Sequence, residues 1–211
     1  MNNDKLLNVA LYLSIITIFY NIIEGIVSIH FGFEDETIAL FGFGIDSFVE
    51  VISGIGIFHM AIRMKRTNVE THDKFERTAL RITGTVFYLL TIGLIAGAIL
   101  NVIYSVEPNT TLIGIIVALF SIITMYILMK AKLKVGNKLN SQAIIADANC
   151  TKTCFYLSFI LLASSGLYEI FGIAYFDIIG ALGIAYFAFN EGREAFEKAK
   201  KNKIECCEIC H

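Results

Sequence analysis

The sequence predicts an all-α membrane protein of six transmembrane helices with both termini in the cytoplasm. Three observations predict it. The 211 residues are 56% hydrophobic and only 17% charged, against roughly 45–50% apolar and about 25% charged in a soluble domain. The apolar residues are clustered, and the uncharged runs Leu6–Ile23, Ile82–Val106 and Pro108–Met129 each approach or pass the ~18 residues that mark a candidate span. Lys and Arg gather in alternate connections. This composition, with a formal net charge of −2, excludes a soluble enzyme, a disordered regulator and a nucleic-acid binder.

The first span, Leu6–His30, is too long for a signal peptide, and no small-residue cleavage site follows it. The second, Ile38–Ile62, is interrupted by Asp46 and Glu50. The third, Leu80–Tyr104, and the fourth, Thr111–Met129, are almost free of charge. The fifth, Gln142–Ser165, holds Asp147 and Lys152, and the sixth, Tyr175–Phe196, opens near Asp177. All six are helices, because the bilayer interior has no water to satisfy an open strand edge. Residues 1–196 therefore form one six-helix domain, and residues 197–211 a short cysteine-rich cytoplasmic tail.

Sidedness follows from the cations. Lys5 precedes the first span. Arg63, Lys65, Arg66, Lys74, Arg77 and Arg81 lie between or beside the second and third. Lys130, Lys132, Lys134 and Lys138 follow the fourth, and Arg193, Lys198, Lys200, Lys201 and Lys203 follow the sixth. The stretches His30–Thr37, Ser105–Asn109 and Gly166–Ala174 contain neither Lys nor Arg. Positive connections mark the cytoplasmic side. Only Lys152 falls outside the pattern.

Ionisable residues inside spans cost about 2.5–3.5 kcal/mol each on insertion scales and mark functional positions. Asp46 and Glu50 stand four residues apart in Gly44-Ile-Asp-Ser-Phe-Val-Glu50, on one helical face. Cys150 and Cys154 repeat that spacing in the fifth span, and Asp147 falls on the same stripe. A lone Cys in a span is most often a small hydrophobe, but a carboxylate pair at mid-membrane has no such bland explanation. The second and fifth spans run in opposite directions. If adjacent, they set Asp46 beside Cys154 and Glu50 beside Cys150. Two carboxylates and two thiols suit a tetrahedral zinc-like site, and thiolates favour zinc, cadmium or Cu(I) over magnesium or calcium.

The segments Ala39-Leu-Phe-Gly-Phe-Gly-Ile-Asp-Ser-Phe-Val-Glu50 and Ser141 through Ala146-Asp-Ala148 resemble the transmembrane domain of the cation diffusion facilitator, or cation efflux, family over about residues 8–196. The resemblance implies a secondary transporter, not an enzyme, that exports divalent metal in exchange for protons, usually as a homodimer. The family's transport site pairs Asp-x-x-x-Asp on the second span with His-x-x-x-Asp on the fifth. Asp46 and Glu50 match the first pair, while Cys150 stands at the His position and Cys154 at the last Asp. The double Cys makes the set softer. The sequence ends where the family's cytoplasmic metal-binding domain would begin, so dimerisation and sensing by that domain do not carry over.

Four ionised ligands would carry −4 against a +2 metal, so part of the set should hold protons when no metal is bound. Metal binding then expels them. The expected cargo is zinc or cadmium, with no prosthetic group. The expected partners are metal ions, protons, the lipid bilayer and a second copy of the chain, with no nucleic acid, and the expected location is a prokaryotic cytoplasmic membrane. Rival readings are a Cu(I) exporter using mainly Cys150 and Cys154, a membrane metal sensor that does not transport, and, more remotely, a cysteine-pair redox enzyme.

Other polar residues fill supporting roles. Asn21, Glu24 and Ser28 share one face of the first span. Asp147, Glu24, Asn21 and Lys152 are candidate groups behind the ligands or proton relays. Lys152 faces away from the cysteine stripe; its readings are a pair with a carboxylate on a neighbouring helix, Glu24 among them, a contact with a water-filled cavity, or an electrostatic offset to the ligands' negative charge. Asp177, His30 and His59 read as residues near span ends. Gly93 and Gly97 permit close packing, inside the bundle or between copies. In the tail, Cys206, Cys207, Cys210 and His211 supply enough donors for a soft metal.

Overall fold

Helix α1 (Asn3–Glu34) shows why this chain folds as it does. Tyr12, Ile16, Phe19, Ile23 and Ile26 are exposed along one side, while Ser14, Thr17, Asn21, Glu24 and Ser28 are buried along the other. That is the reverse of a helix in water, and it matches a bundle whose outside meets lipid and whose inside collects the polar groups. The computed structural model describes residues 3–35, 37–66, 72–104, 107–139 and 141–200. Five more helices follow α1: α2 (Ile38–Arg66), α3 (His72–Tyr104), α4 (Leu112–Leu139), α5 (Gln142–Phe171) and α6 (Tyr175–Lys200). Among the described residues there is no strand.

The helices run from 26 to 33 residues. At about 1.5 Å per residue each exceeds the ~30 Å hydrocarbon core, so their ends project beyond it. Among the described residues, five helices are long and apolar enough to cross a membrane. Helix α6 carries seven charged residues, from Asp177 to Lys200, yet its outward Ile179, Leu182, Tyr186 and Phe189 follow the same pattern.

Helix α1 packs chiefly on α2, α3 on α6, and α4 on α5, while α2 also touches α3, α5 and α6. The main apolar core joins Leu40, Phe43 and Val49 of α2 to Leu90, Leu94, Leu157, Leu161 and Ile184. Helix α2, the carrier of the acidic pair, is thus held on several sides.

Its N-terminus is fixed from α6. The backbone N–H groups of Ile38 and Ala39 donate to the Asp177 carboxylate at 2.9 and 3.2 Å. A carboxylate there satisfies two donors that the helix itself leaves unpaired. Asp177 is therefore not a surface residue at a span end, as its sequence position suggests; it is 2% exposed. Glu169 does the same for α4, accepting from the Thr111 N–H at 2.6 Å. Helix α5 ends at Gly172, whose φ of 64° lies in the left-handed region, where glycine carries no side-chain penalty.

Glycine also sets the approach of α1 to α2. A Cβ at Gly44 would meet the Ile29 backbone nitrogen and Ser28 Cβ at 2.8 and 2.9 Å. Backbone cannot yield cheaply, so Gly44→Ala should cost about 1–3 kcal/mol by overpacking and shift Asp46, two residues on. Thermal unfolding in detergent should show a lower melting temperature and metal transport should fall with it. Gly93→Ala, whose Cβ meets nothing within 4 Å, should change neither. The paired Gly97 is half-buried, and a Cβ there would stand 3.6 Å from Ile38 Cδ1.

Candidate metal centre

Helices α2 and α5 meet where their charged and sulfur residues stand. The Cys154 thiol donates to Asp46 Oδ2 at 3.2 Å, across 108 residues of sequence. Asp46, Glu50 and Cys154 are 2%, 4% and 6% exposed. With half-buried Cys150 they line one small cavity between α2, α3, α5 and α6. Ser53, Thr153 and Glu191 are its other polar walls, and Val49 and Phe87 its apolar ones. The anticipated juxtaposition of Asp46 with Cys154 is thus present, and Glu50 and Cys150 share their cavity. Among the described residues no three His, Cys, Asp or Glu groups are arranged to hold an ion together; the four candidate ligands are neighbours and not a closed shell.

Both Glu50 oxygens are buried without a hydrogen-bond partner. An ionised carboxylate accepts hydrogen bonds and donates none, and burying one unpaired costs free energy. Among the described residues Glu50 is the one carboxylate with both oxygens so placed, and a cation beside it would relieve it.

The supporting groups are arranged in two sets. Asp147 is buried; its Oδ1 accepts from the Ser53 hydroxyl at 3.1 Å and its Oδ2 pairs with the Lys132 ammonium at 2.8 Å. Lys132 also donates to Thr151 Oγ1 at 2.9 Å. Glu24 accepts from the Tyr20 hydroxyl at 2.8 Å and from the Ser47 hydroxyl at 3.0 Å, one residue from Asp46. Asn21 donates to the Thr17 carbonyl at 2.9 Å, and its own Oδ1 is buried and unpartnered.

Lys152 is turned away from the cysteine stripe as its angle predicts: it is exposed, with its Nζ 5.8 Å from the Tyr156 ring centroid. A pairing of Lys152 with Glu24 is corrected, since Glu24 pairs with hydroxyls instead. Lys132, read from sequence as a topological marker beyond the fourth span, is 2% exposed, because α4 continues unbroken to Leu139. The tail residues Cys206, Cys207, Cys210 and His211 lie outside the described residues. His30 is exposed near the end of α1, 3.3 Å from Glu34.

Glu191 was not singled out by the sequence. Thr153 donates to its Oε1 at 2.7 Å, which sets a further carboxylate in the cavity wall. Glu191→Gln should raise the KM for metal by about tenfold, the low end of what a charged cleft adds to association, with a smaller change in kcat. Initial rates of metal uptake into proteoliposomes across metal concentrations would show it.

Residues 9–201 match the model of the cation efflux transmembrane domain. The chain belongs to the cation efflux family. It is also 33% identical over 186 residues to an uncharacterized transporter of Methanocaldococcus jannaschii. That match covers 83% of this chain and 65% of the relative. The family is one of cation transporters in membranes, in keeping with the outward apolar faces of the helices.

Proposed function

We propose that this cation efflux domain carries a soft divalent metal ion, zinc or cadmium, across the membrane in exchange for protons, with Asp46, Glu50, Cys150 and Cys154 as the ligands. The observation that carries the reading is the 3.2 Å hydrogen bond between the Cys154 thiol and Asp46. Such a bond holds a proton between two groups that bind metal only after that proton has left. Loading the site with metal therefore releases a proton, and protonating it releases metal. With an inward proton gradient, the exchange exports metal from the cytoplasm.

Two further features support the ligand set. Glu50 offers two unpartnered oxygens, and Cys150 lines the same cavity. The pairing of a thiol with a carboxylate also favours a mixed sulfur and oxygen shell over thiols alone, and hence zinc or cadmium over Cu(I). The chain works as a homodimer, and Cys206, Cys207, Cys210 and His211 gather metal at the cytoplasmic face. Deleting residues 205–211 should then weaken metal resistance at low metal and leave it unchanged at high metal.

Purified protein in proteoliposomes holding a pH-sensitive dye tests the reading with zinc, cadmium, cobalt, iron(II) and Cu(I). Uptake of zinc or cadmium with an opposite proton flux is expected. Metal flux without proton flux would overturn the exchange. Binding without flux would make the chain a sensor, and Cu(I) flux that survives Asp46→Ala would make it a copper carrier.

A further inference from the structure

The cavity that holds Asp46 and Cys154 is not sealed equally at its two ends. Toward the C-terminal end of α2 its polar walls Ser53, Cys150 and Glu191 are half-buried. Toward the N-terminal end of α2, beyond Asp46 and Cys154, Leu40, Phe43, Leu157, Leu161 and Ile184 are fully buried and joined in one apolar cluster. An ion passes such a plug only when the helices that build it part. Helix α6 packs chiefly on α3, and α2 chiefly on α1. Asp177 ties these two helices together at the sealed end. From α6, its two oxygens accept from the Ile38 N–H at 2.9 Å and the Ala39 N–H at 3.2 Å, and the carboxylate is itself buried. One turn along, Gly180 brings α6 against the same point of α2, where a Cβ would stand 3.3 Å from the Ala39 Cβ. Parting α2 from α6 at this end breaks both hydrogen bonds and draws the carboxylate off the positive end of the α2 dipole.

We propose that Asp177 is the latch of the sealed end. It holds α2 to α6 while the cavity is open toward the C-terminal end of α2, and it lets go when the ion leaves by the other face. Asp177 is thus a positioning residue for transport and not a ligand. This rests on the reading that the transported ion passes through the site of Asp46 and Cys154. A carboxylate that merely starts a helix would contribute to folding and leave the choice of face alone.

Cys150 and Cys154 are built-in reporters for the test. The full chain in a cell membrane is treated with a small, membrane-impermeant methanethiosulfonate, added to intact cells or to inside-out vesicles. Mass spectrometry of the peptides separates these thiols from Cys206, Cys207 and Cys210. In the wild type both cysteines should react from one face and resist the reagent at the other. Asp177→Asn keeps the volume, removes the charge and turns one of the two acceptors into a donor. Cys154 should then react from the second face about tenfold faster than in the wild type, the scale on which a lost helix cap shifts an equilibrium. Glu169→Gln is the control: it weakens the comparable contact to the Thr111 N–H at the start of α4, within the α4–α5 pair, and should keep the wild-type pattern. A wild-type pattern in Asp177→Asn would overturn the proposal. So would second-face labelling that appears equally in Glu169→Gln, or that comes with a collapse of the melting temperature in detergent, since the carboxylate would then only stabilise the bundle. Zinc added with the reagent separates the two readings. If it fails to protect Cys154 in the wild type, the site assignment has failed; if it protects while Asp177→Asn labels like the wild type, only the latch has failed.

Discussion

Asp46→Ala should abolish metal transport, with zinc binding weakened by more than the ~10–100-fold that groups merely supporting a ligand contribute. Asp46 is 2% exposed and accepts from the Cys154 thiol, so the substitution removes one candidate ligand and the acceptor that orients another. Cys154→Ser should keep a hydrogen bond to Asp46, since a hydroxyl donates as well as a thiol. It should nevertheless lower the affinity for cadmium more than for zinc, because sulfur is the softer donor. Isothermal titration with both metals checks the pair. A uniform loss for both metals in Cys154→Ser would mean that the sulfur acts in packing and not in ligation.

Glu50→Gln should be equally damaging to transport and harmless to the fold. The carboxylate is buried with neither oxygen partnered, a condition that costs about 1–3 kcal/mol for a group of this kind. An amide of the same shape removes the charge, brings donors of its own and leaves the Lys132–Asp147 pair in place. The melting temperature should therefore hold or rise while transport falls by about 100-fold or more, the pattern of a site whose function is bought with local instability. A melting temperature that drops along with transport would show that Glu50 stabilises the bundle instead.

The pH dependence has a definite sign. If metal binding releases the proton shared by Cys154 and Asp46, apparent affinity rises with pH, by about tenfold per pH unit for each proton released. Affinity that is flat with pH would contradict the proposed exchange.

Much of this was legible in the sequence because the chain is so poor in charge. Six apolar stretches could be only helices in a bilayer, and Asp46 and Glu50 stood out because hydrocarbon is where carboxylates are dear. Their spacing of four, repeated by Cys150 and Cys154, put each pair on one face, and opposite chain directions matched their depths. What could not be read were residues whose meaning depends on where a helix stops or what lies across from it. Lys132 follows an apolar run and looks like a cytoplasmic charge; only the continuation of α4 to Leu139 carries it inside against Asp147. Glu191 sits among the charges of the last turns of α6, and only Thr153 on α5 singles it out. Asp177 looked peripheral until the first N–H groups of α2 were seen to point at it.

The central claim is a mixed shell of two thiolates and two carboxylates, and it is open to direct inspection. X-ray absorption at the zinc edge, on protein loaded with one equivalent and with Cys206, Cys207 and Cys210 replaced by Ser, reports the donors around the metal. Two sulfurs at about 2.3 Å and two oxygens at about 2.0–2.2 Å are expected, with one sulfur lost in Cys150→Ser and one in Cys154→Ser. A shell of oxygen and nitrogen alone, unaltered by either substitution, would contradict it.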